Sequence, residues 1–416
     1  MSPSKKPVCE ARRRFVVGAG LATAALSPAA ALARAVLPSP IRVGVLLATS
    51  QRYPRLSERL LAGFAAYTAS PCDDHGVGLR IVPIACTPGA GTYAAARGAI
   101  ERGEVDVLAG FGDRALTARL APLLEAHRIP FVVTDLGADI VRQRRESGWV
   151  VRNTLGLWQA NYTMGQWSAA HLGQRALIAC DFLESGYDMV YAFRRAFEDA
   201  GGEVPAVVVT GLPDGRGTLP EVARAVDAHR PDFVYAFYSG HRAEAFLRFY
   251  ERERLARAAP LAGAALLTDS VTGSRPLPAS AGVITVSPWW RGDASAANLA
   301  LHRACRAGQD VDGDLFAALG YEAAQRIAAG FAAPVRGHAV HAMASASYAG
   351  TRGEVRPDPD LAETRAGAYV LRVEGSADAL AHVALERLAP PRIAPALRHE
   401  LRTMIKSGWA NAYLAV

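Results

Sequence analysis

A set of polar side chains stands just beyond the apolar runs of the chain: Ser50, Arg52, Asp135, Asp181, Glu184, Ser185, His241 and Asp269. In open α/β sheets a ligand binds outside the carboxyl ends of the strands. Side chains at such positions can therefore hydrogen-bond or ion-pair with a small molecule. Ser50 and Asp135 lead the set, because their loops face that crevice. Aromatic residues accompany them: Tyr53, Phe111, Trp158, Phe182, Tyr187, Tyr238 and Trp289. Pockets for apolar or aromatic solutes are lined in this way, although Trp158 and Trp289 better suit ordinary packing.

Catalytic constellations are not legible. No G-x-S-x-G elbow, phosphate-binding Gly-Lys loop or H-E-x-x-H helix occurs. The turn Ala48-Thr-Ser-Gln-Arg-Tyr53 has no glycine to admit a pyrophosphate. His75, His127, His171, His229 and His241 are scattered, and no cysteine spacing fits a zinc site. The expectation is a binding protein, not an enzyme, with no cofactor and no metal.

The elements that carry these residues alternate. Apolar runs at 41–47, 79–85, 105–109 and 129–134 read as strands, separated by helical patterns at 57–68, 92–102 and 115–127. The pattern restarts with helices at 158–171, 187–200, 219–229 and 243–257 around strands at 176–180, 204–210, 233–237 and 262–268. Buried strands alternating with helices predict parallel, doubly wound sheets. Two such units within 416 residues predict two Rossmann-like lobes facing a shared cleft. Residues 281–286 read as one more strand, with helices near 295–307 and 314–330, all expected to return to the first lobe. The expected division is a first lobe over 36–152 plus about 275–350 and a second over 153–274 plus about 351–376. Residues 377–416 form a C-terminal extension whose place the pattern does not fix, read as irregular structure with a helix at 395–406.

The first 35 residues read as a signal peptide. Lys5, Lys6, Arg12, Arg13 and Arg14 precede a modestly apolar stretch that ends in small-residue cleavage sites near Ala33 and Ala35. Arg12-Arg13 resembles the twin-arginine signal, with Ala11 where a Ser or Thr is usual, so the general secretory route stays open. An uncleaved anchor is the alternative. The leader holds six basic residues and one acidic residue. Removing these from 46 and 39 leaves a net charge of +2, too balanced to argue for nucleic acid. Cys72 and Cys86 flank one strand and could pair in an oxidising compartment, while Cys180 suits a buried thiol.

The chain resembles the branched-chain amino acid and amide binding family of ABC transporters from about Ile41 to Gly375. The resemblance is carried by Ile41-Arg-Val-Gly-Val-Leu-Leu47, Val105-Asp-Val-Leu-Ala-Gly110, Ala121-Pro122 and Arg128-Ile-Pro-Phe-Val-Val133. Further landmarks are Val151-Arg-Asn-Thr154 with Gln159-Ala160, Asp232-Phe-Val-Tyr235 and Tyr348-Ala-Gly-Thr-Arg-Gly353. It implies a type I periplasmic binding fold: two lobes joined by three crossovers. It also implies hinge closure on a small solute in the periplasm, delivery to permease subunits in the inner membrane, and no chemistry on the solute. A periplasmic receptor signalling through a partner protein, or an exported enzyme on this fold, are the other classes the same fold could serve.

The pocket departs from the family's amino acid pattern. The hydroxyl that holds the carboxylate falls at Arg114 or Ala115, and the second donor near Gly137. The acid that holds the ammonium falls near Ala265 or Leu266, with Asp269 the nearest carboxylate. The tyrosine after Tyr235 falls near Ser239 or Gly240. A zwitterion needs both charges paired in a closed cleft. The expectation is therefore a solute other than a branched-chain amino acid, partly apolar or aromatic, and carboxylated if Arg114 receives it. Arg114 is otherwise a solvated rim residue or a partner of Asp113. The expected ligand set is Ser50, Tyr53, Asp113, Arg114, Asp135, Trp158, Tyr187, Tyr238, Ser239 and Asp269.

Overall fold

The computed structural model describes residues 39–70, 76–87, 90–140, 147–269, 277–308, 313–332, 339–358, 363–376 and 378–403. The leader and Cys72 lie outside the described residues.

The first half is built on a parallel sheet. Its strands are β1 (Ile41–Leu47), β2 (Leu79–Ala85), β3 (Val107–Phe111), β4 (Phe131–Asp135) and β5 (Val150–Thr154), in the order β2-β1-β3-β4-β5. Helices α1 (Leu56–Thr68), α2 (Ala90–Glu101) and α3 (Arg114–His127) connect the first four strands. All five residues of β3 are buried, as expected of a central strand covered on both faces.

The second half follows. It contains α4 (Leu157–His171), β6 (Arg175–Asp181), the short α5 (Phe182–Ser185), α6 (Asp188–Asp199), β7 (Glu203–Thr210) and α7 (Leu219–His229). Next come β8 (Phe233–Phe237), α8 (Gly240–Arg252), β9 (Leu261–Ala264) and β10 (Ile284–Ser287). The chain then forms α9 (Ala296–Gly308), α10 (Leu315–Phe331), α11 (Ala339–Ser345), β11 (Tyr348–Gly350), β12 (Gly353–Asp358) and β13 (Glu363–Arg365). It ends in β14 (Ala368–Ser376), β15 (Ala379–Leu388) and α12 (Pro395–Thr403). The second sheet runs β15-β14-β10-β9-β8-β6-β7, and β11, β12 and β13 form a small sheet of their own.

Two sequence expectations are corrected here. The strand near 281–286 does not return to the first half: β10 lies parallel to β9, with Ile284 opposite Ala262. Only the segment after it goes back. Helix α10 then lies against α1 so closely that a Cβ on Gly63 would sit 2.0 Å from the Ala317 carbonyl, and one on Gly320 would sit 2.1 Å from that of Leu60. Two glycines, one per helix, permit this backbone contact. The extension from 377 is no loose tail. Its β15 pairs antiparallel with β14, from Ser376 opposite Ala379 to Ala368 opposite Leu388, and becomes the edge of the second sheet.

The chain crosses between the halves after β5, after β10 and between β13 and β14. Arg352, in the turn between β11 and β12, ties these segments together. Its guanidinium donates to the carbonyls of Thr154 (3.1 Å) and Leu155 (2.9 Å), where β5 hands over to α4. The same guanidinium pairs with Glu322 of α10 at 2.7 Å. Thr364 Oγ1 accepts from the Thr154 amide and donates to its carbonyl, both at 2.9 Å. The crossover after β10 is held by Asn298, which donates to the carbonyls of Trp290, Arg291 and Asp293 and accepts from Trp289 Nε1.

Candidate functional site

The loops at the carboxyl ends of the parallel strands of the two sheets meet face to face. From the first half, the loop after β1 carries Ser50, Arg52 and Tyr53. Ser50 Oγ accepts the Tyr53 amide at 3.1 Å, which folds the loop into a turn and aims both neighbours across the cleft. Arg52 reaches the second half. Its Nη2 pairs with Asp181 at the end of β6, and its Nη1 lies 3.5 Å from Glu184 Oε1, 3.3 Å from Ser239 Oγ and 3.4 Å from the Ser239 carbonyl. Ser239 Oγ in turn donates to Glu184. Tyr53 Oη accepts the Gly240 amide at 3.2 Å. Gly240 has φ +52°, and a Cβ there would come 2.9 Å from the Arg52 carbonyl oxygen.

A second set of contacts closes the other side. The loop after β4 meets the start of α6. The amide of Asp188 donates to Asp139 Oδ1 (3.2 Å), that of Met189 to the Ala138 carbonyl (2.9 Å), and that of Ile140 to Asp188 Oδ2 (2.9 Å). Asp139 thus caps a helix that belongs to the opposite half, where a carboxylate is favoured by the exposed amides.

The cleft is rich in buried acids. Burial raises the pKa of Glu184, with Arg52 and Ser239 pulling the other way. Burial, followed by the nearby Asp188, pushes Asp139 up to about 7, and Arg114 opposes the rise. Tyr187, which precedes α6, is 3% exposed and has its phenol pushed upward by burial and then by Asp139 and Glu184. Among the described residues no group of three or more His, Cys, Asp or Glu is placed to hold a metal.

A profile of the family described as periplasmic binding protein matches residues 40–378. The chain belongs to this family. A Leu/Ile/Val-binding protein homolog 6 of Brucella abortus (strain 2308) is 25% identical over 236 residues, covering 55% of this chain. The match spans 59% of that relative's length. Among solved structures, an ABC transporter solute-binding protein from R. palustris, in complex with benzoate, superposes with a TM-score of 0.69 at 24% identity. It covers 86% of this chain and 99% of its own. Another, from Rhodopseudomonas palustris BisB5 in complex with 3,4-dihydroxybenzoic acid, has a TM-score of 0.71 at 19% identity, with 85% and 98% covered. The fold is that of these proteins: parallel sheets flanked by helices in the type I periplasmic binding arrangement.

Within this periplasmic binding protein the expected residues separate. Tyr53, Tyr187 and Ser239 are brought together at the cleft, and Ser50 supports them from within its loop. Asp113 caps α3 by accepting the Leu116 amide at 2.6 Å, and Arg114 is exposed at the first turn of that helix. Asp135 is committed to Arg152 (3.1 Å) and to the Gly137 amide. Trp158 is 1% exposed in the first turn of α4, packed at the crossover. Asp269 has a buried Oδ2 without a hydrogen-bond partner among the described residues. Its pKa is raised by burial and then by Asp314, which caps α10 and pairs with Arg59 at 2.8 Å.

Tyr238 is a correction. Its ring stacks on Phe246 with centroids 4.1 Å apart and its hydroxyl meets Thr210 Oγ1 at 2.9 Å, inside the core under α8. Neighbours in an extended segment point to opposite sides, so Ser239 faces the cleft and Tyr238 does not. Of the Cys72–Cys86 pair, Cys72 lies outside the described residues, and Cys86 is a free thiol with Sγ 3.4 Å from the Ile84 carbonyl. Cys180 is a fully buried thiol whose pKa is raised by burial. Sequence reasoning did not single out Asp139 or Asp188, and met Gly240 only as an alternative to Ser239. Their signal was only their position just beyond β4 and β8 and at the start of α6.

Proposed function

We propose that this protein is the periplasmic solute-binding component of an ABC importer. It captures a small, partly aromatic, carboxylated solute by closing its two halves about the three crossovers. The observation that carries this reading is Arg52, a cation 13% exposed that spans the cleft from one sheet's loops to the other's, beside Tyr53 and Tyr187. A solute bound between the halves stabilises the closed arrangement by its differential affinity for it. The benzoate and 3,4-dihydroxybenzoate complexes of similarly folded proteins support aromatic acids as the class to try first. Export by the leader and hand-over to inner-membrane permease subunits complete the proposal.

Native mass spectrometry and thermal-shift screening of the mature chain test it, with benzoate, 4-hydroxybenzoate, 3,4-dihydroxybenzoate and leucine as probes. Free solute at 100 times its Kd adds about 2.7 kcal/mol of stability. An aromatic acid is expected to give the largest shift and to be recovered unchanged. A dominant response to leucine, or conversion of the acid to product, sinks the reading.

A further inference from the structure

We propose that Arg52 fills the cation position of this cleft from within the chain, and so excludes amine-bearing solutes from it. The inference rests on the cleft being the solute site, as argued above. Asp181 and Glu184 are 2% and 0% exposed, and both face the guanidinium, Asp181 through an ion pair and Glu184 at 3.5 Å. A solute ammonium enclosed here would need one of these carboxylates, because an unpaired buried charge is costly. It would have to evict a guanidinium that is tethered to the chain and pays no translational cost to stay.

The tether is short and fixed at both ends. The Tyr53 amide is held by Ser50 Oγ at 3.1 Å, and the Tyr53 hydroxyl by the Gly240 amide at 3.2 Å. The guanidinium between these anchors is presented to Ser239 and to both acids at once. Arg242, whose Nε is 3.9 Å from Asp181 Oδ1, approaches from outside with its side chain half exposed, and does not substitute for Arg52. Two other cleft acids, Asp139 and Asp188, accept amides of the opposite half. The acids that face Arg52 are therefore engaged by the protein itself, whereas Asp269 keeps a buried Oδ2 without a hydrogen-bond partner among the described residues.

The test compares wild type with Arg52→Ala, and with Arg52→Gln in case the alanine variant does not fold. Thermal shift and calorimetry are run with benzoate, benzylamine and guanidinium chloride as probes. Wild type is expected to respond to benzoate and not to benzylamine. Either variant is expected to gain at least tenfold in affinity for benzylamine and to be stabilised by millimolar guanidinium, while Arg52→Lys keeps the wild-type refusal. If wild type binds benzoate but neither variant gains benzylamine or guanidinium, Arg52 is not the internal cation, and the solute reading stands. Wild type binding benzylamine as tightly as benzoate also overturns the proposal. If no organic probe shifts wild type or variants, the cleft is not a solute site, and the inference falls with that reading.

Discussion

The guanidinium of Arg352 and the carboxylate of Glu322 form an ion pair at 2.7 Å, with 1% and 0% of their side chains exposed. Thr351 Oγ1 adds a further contact to Glu322 at 2.9 Å, and Arg352 also serves the carbonyls of Thr154 and Leu155. Breaking one side of such a buried pair leaves an uncompensated charge and costs about 3–5 kcal/mol. Arg352→Met and Glu322→Met are each expected to lower the free energy of unfolding by that amount. The double variant should recover only part of the loss, because the Leu155 carbonyl still lacks its donor. Equilibrium urea unfolding checks both statements.

Gly240 reports on closure. Its positive φ and its approach to the Arg52 carbonyl leave no room for a branched side chain. Gly240→Val is expected to hold the halves apart while keeping the secondary structure. Solute affinity should fall roughly tenfold or more, about 1.4 kcal/mol. The radius of gyration from small-angle scattering should rise. An unchanged radius with wild-type affinity refutes this.

Asp139 predicts a pH dependence. Its carboxyl is raised to about 7 by burial and by Asp188, with Asp135 adding to the rise and Arg114 opposing it. A raised folded-state pKa means that the native protein binds a proton which the unfolded chain has released. The stabilisation is complete below the ordinary carboxylate range and is lost as pH climbs through about 7. Thermal stability should therefore decline between pH 5 and pH 8 by more in wild type than in Asp139→Asn. Parallel pH profiles for the two proteins would contradict the assignment.

Arg114 stands at the first turn of α3, close enough to Asp139 to lower its pKa. If it receives the solute carboxylate, Arg114→Ala should weaken benzoate binding strongly by calorimetry and leave unfolding almost unchanged. Undiminished affinity removes it from the site.

The C-terminal strand predicts a contrast. Ending the chain at residue 378 strips β15 from the second sheet and leaves β14 as a bare edge, a template for aggregation. Size-exclusion chromatography should show aggregates. Glu400→Ala, which removes a partly exposed contact with Arg195 (3.1 Å), should cost less than about 1 kcal/mol.

Much of this fold was legible because apolar runs such as Val107–Phe111 and Phe233–Phe237 admit few readings other than covered strands. Ala379–Leu388 hid itself. It is built mainly from Ala, Leu, Glu and Arg, which favour helices, and lies in the sheet because β14 pairs with it. The placement of β10 was hidden for another reason: a strand's composition does not name the sheet it joins. At the site, strand-end logic named Arg52, Asp181 and Glu184 separately, but the 129 and 132 residues between Arg52 and these partners hid its reach.

The glycine contact between α1 and α10 has a consequence for how the protein is made. The chain begins its first half at β1, leaves it after β5, builds most of a second domain, and only then supplies the helix that covers α1. Synthesis and maturation therefore cannot proceed one domain at a time. A nascent chain stopped before Leu315 leaves the apolar face of α1 along Leu60 and Phe64 without the helix that covers it, so the first half completes its core only after most of the second has been made.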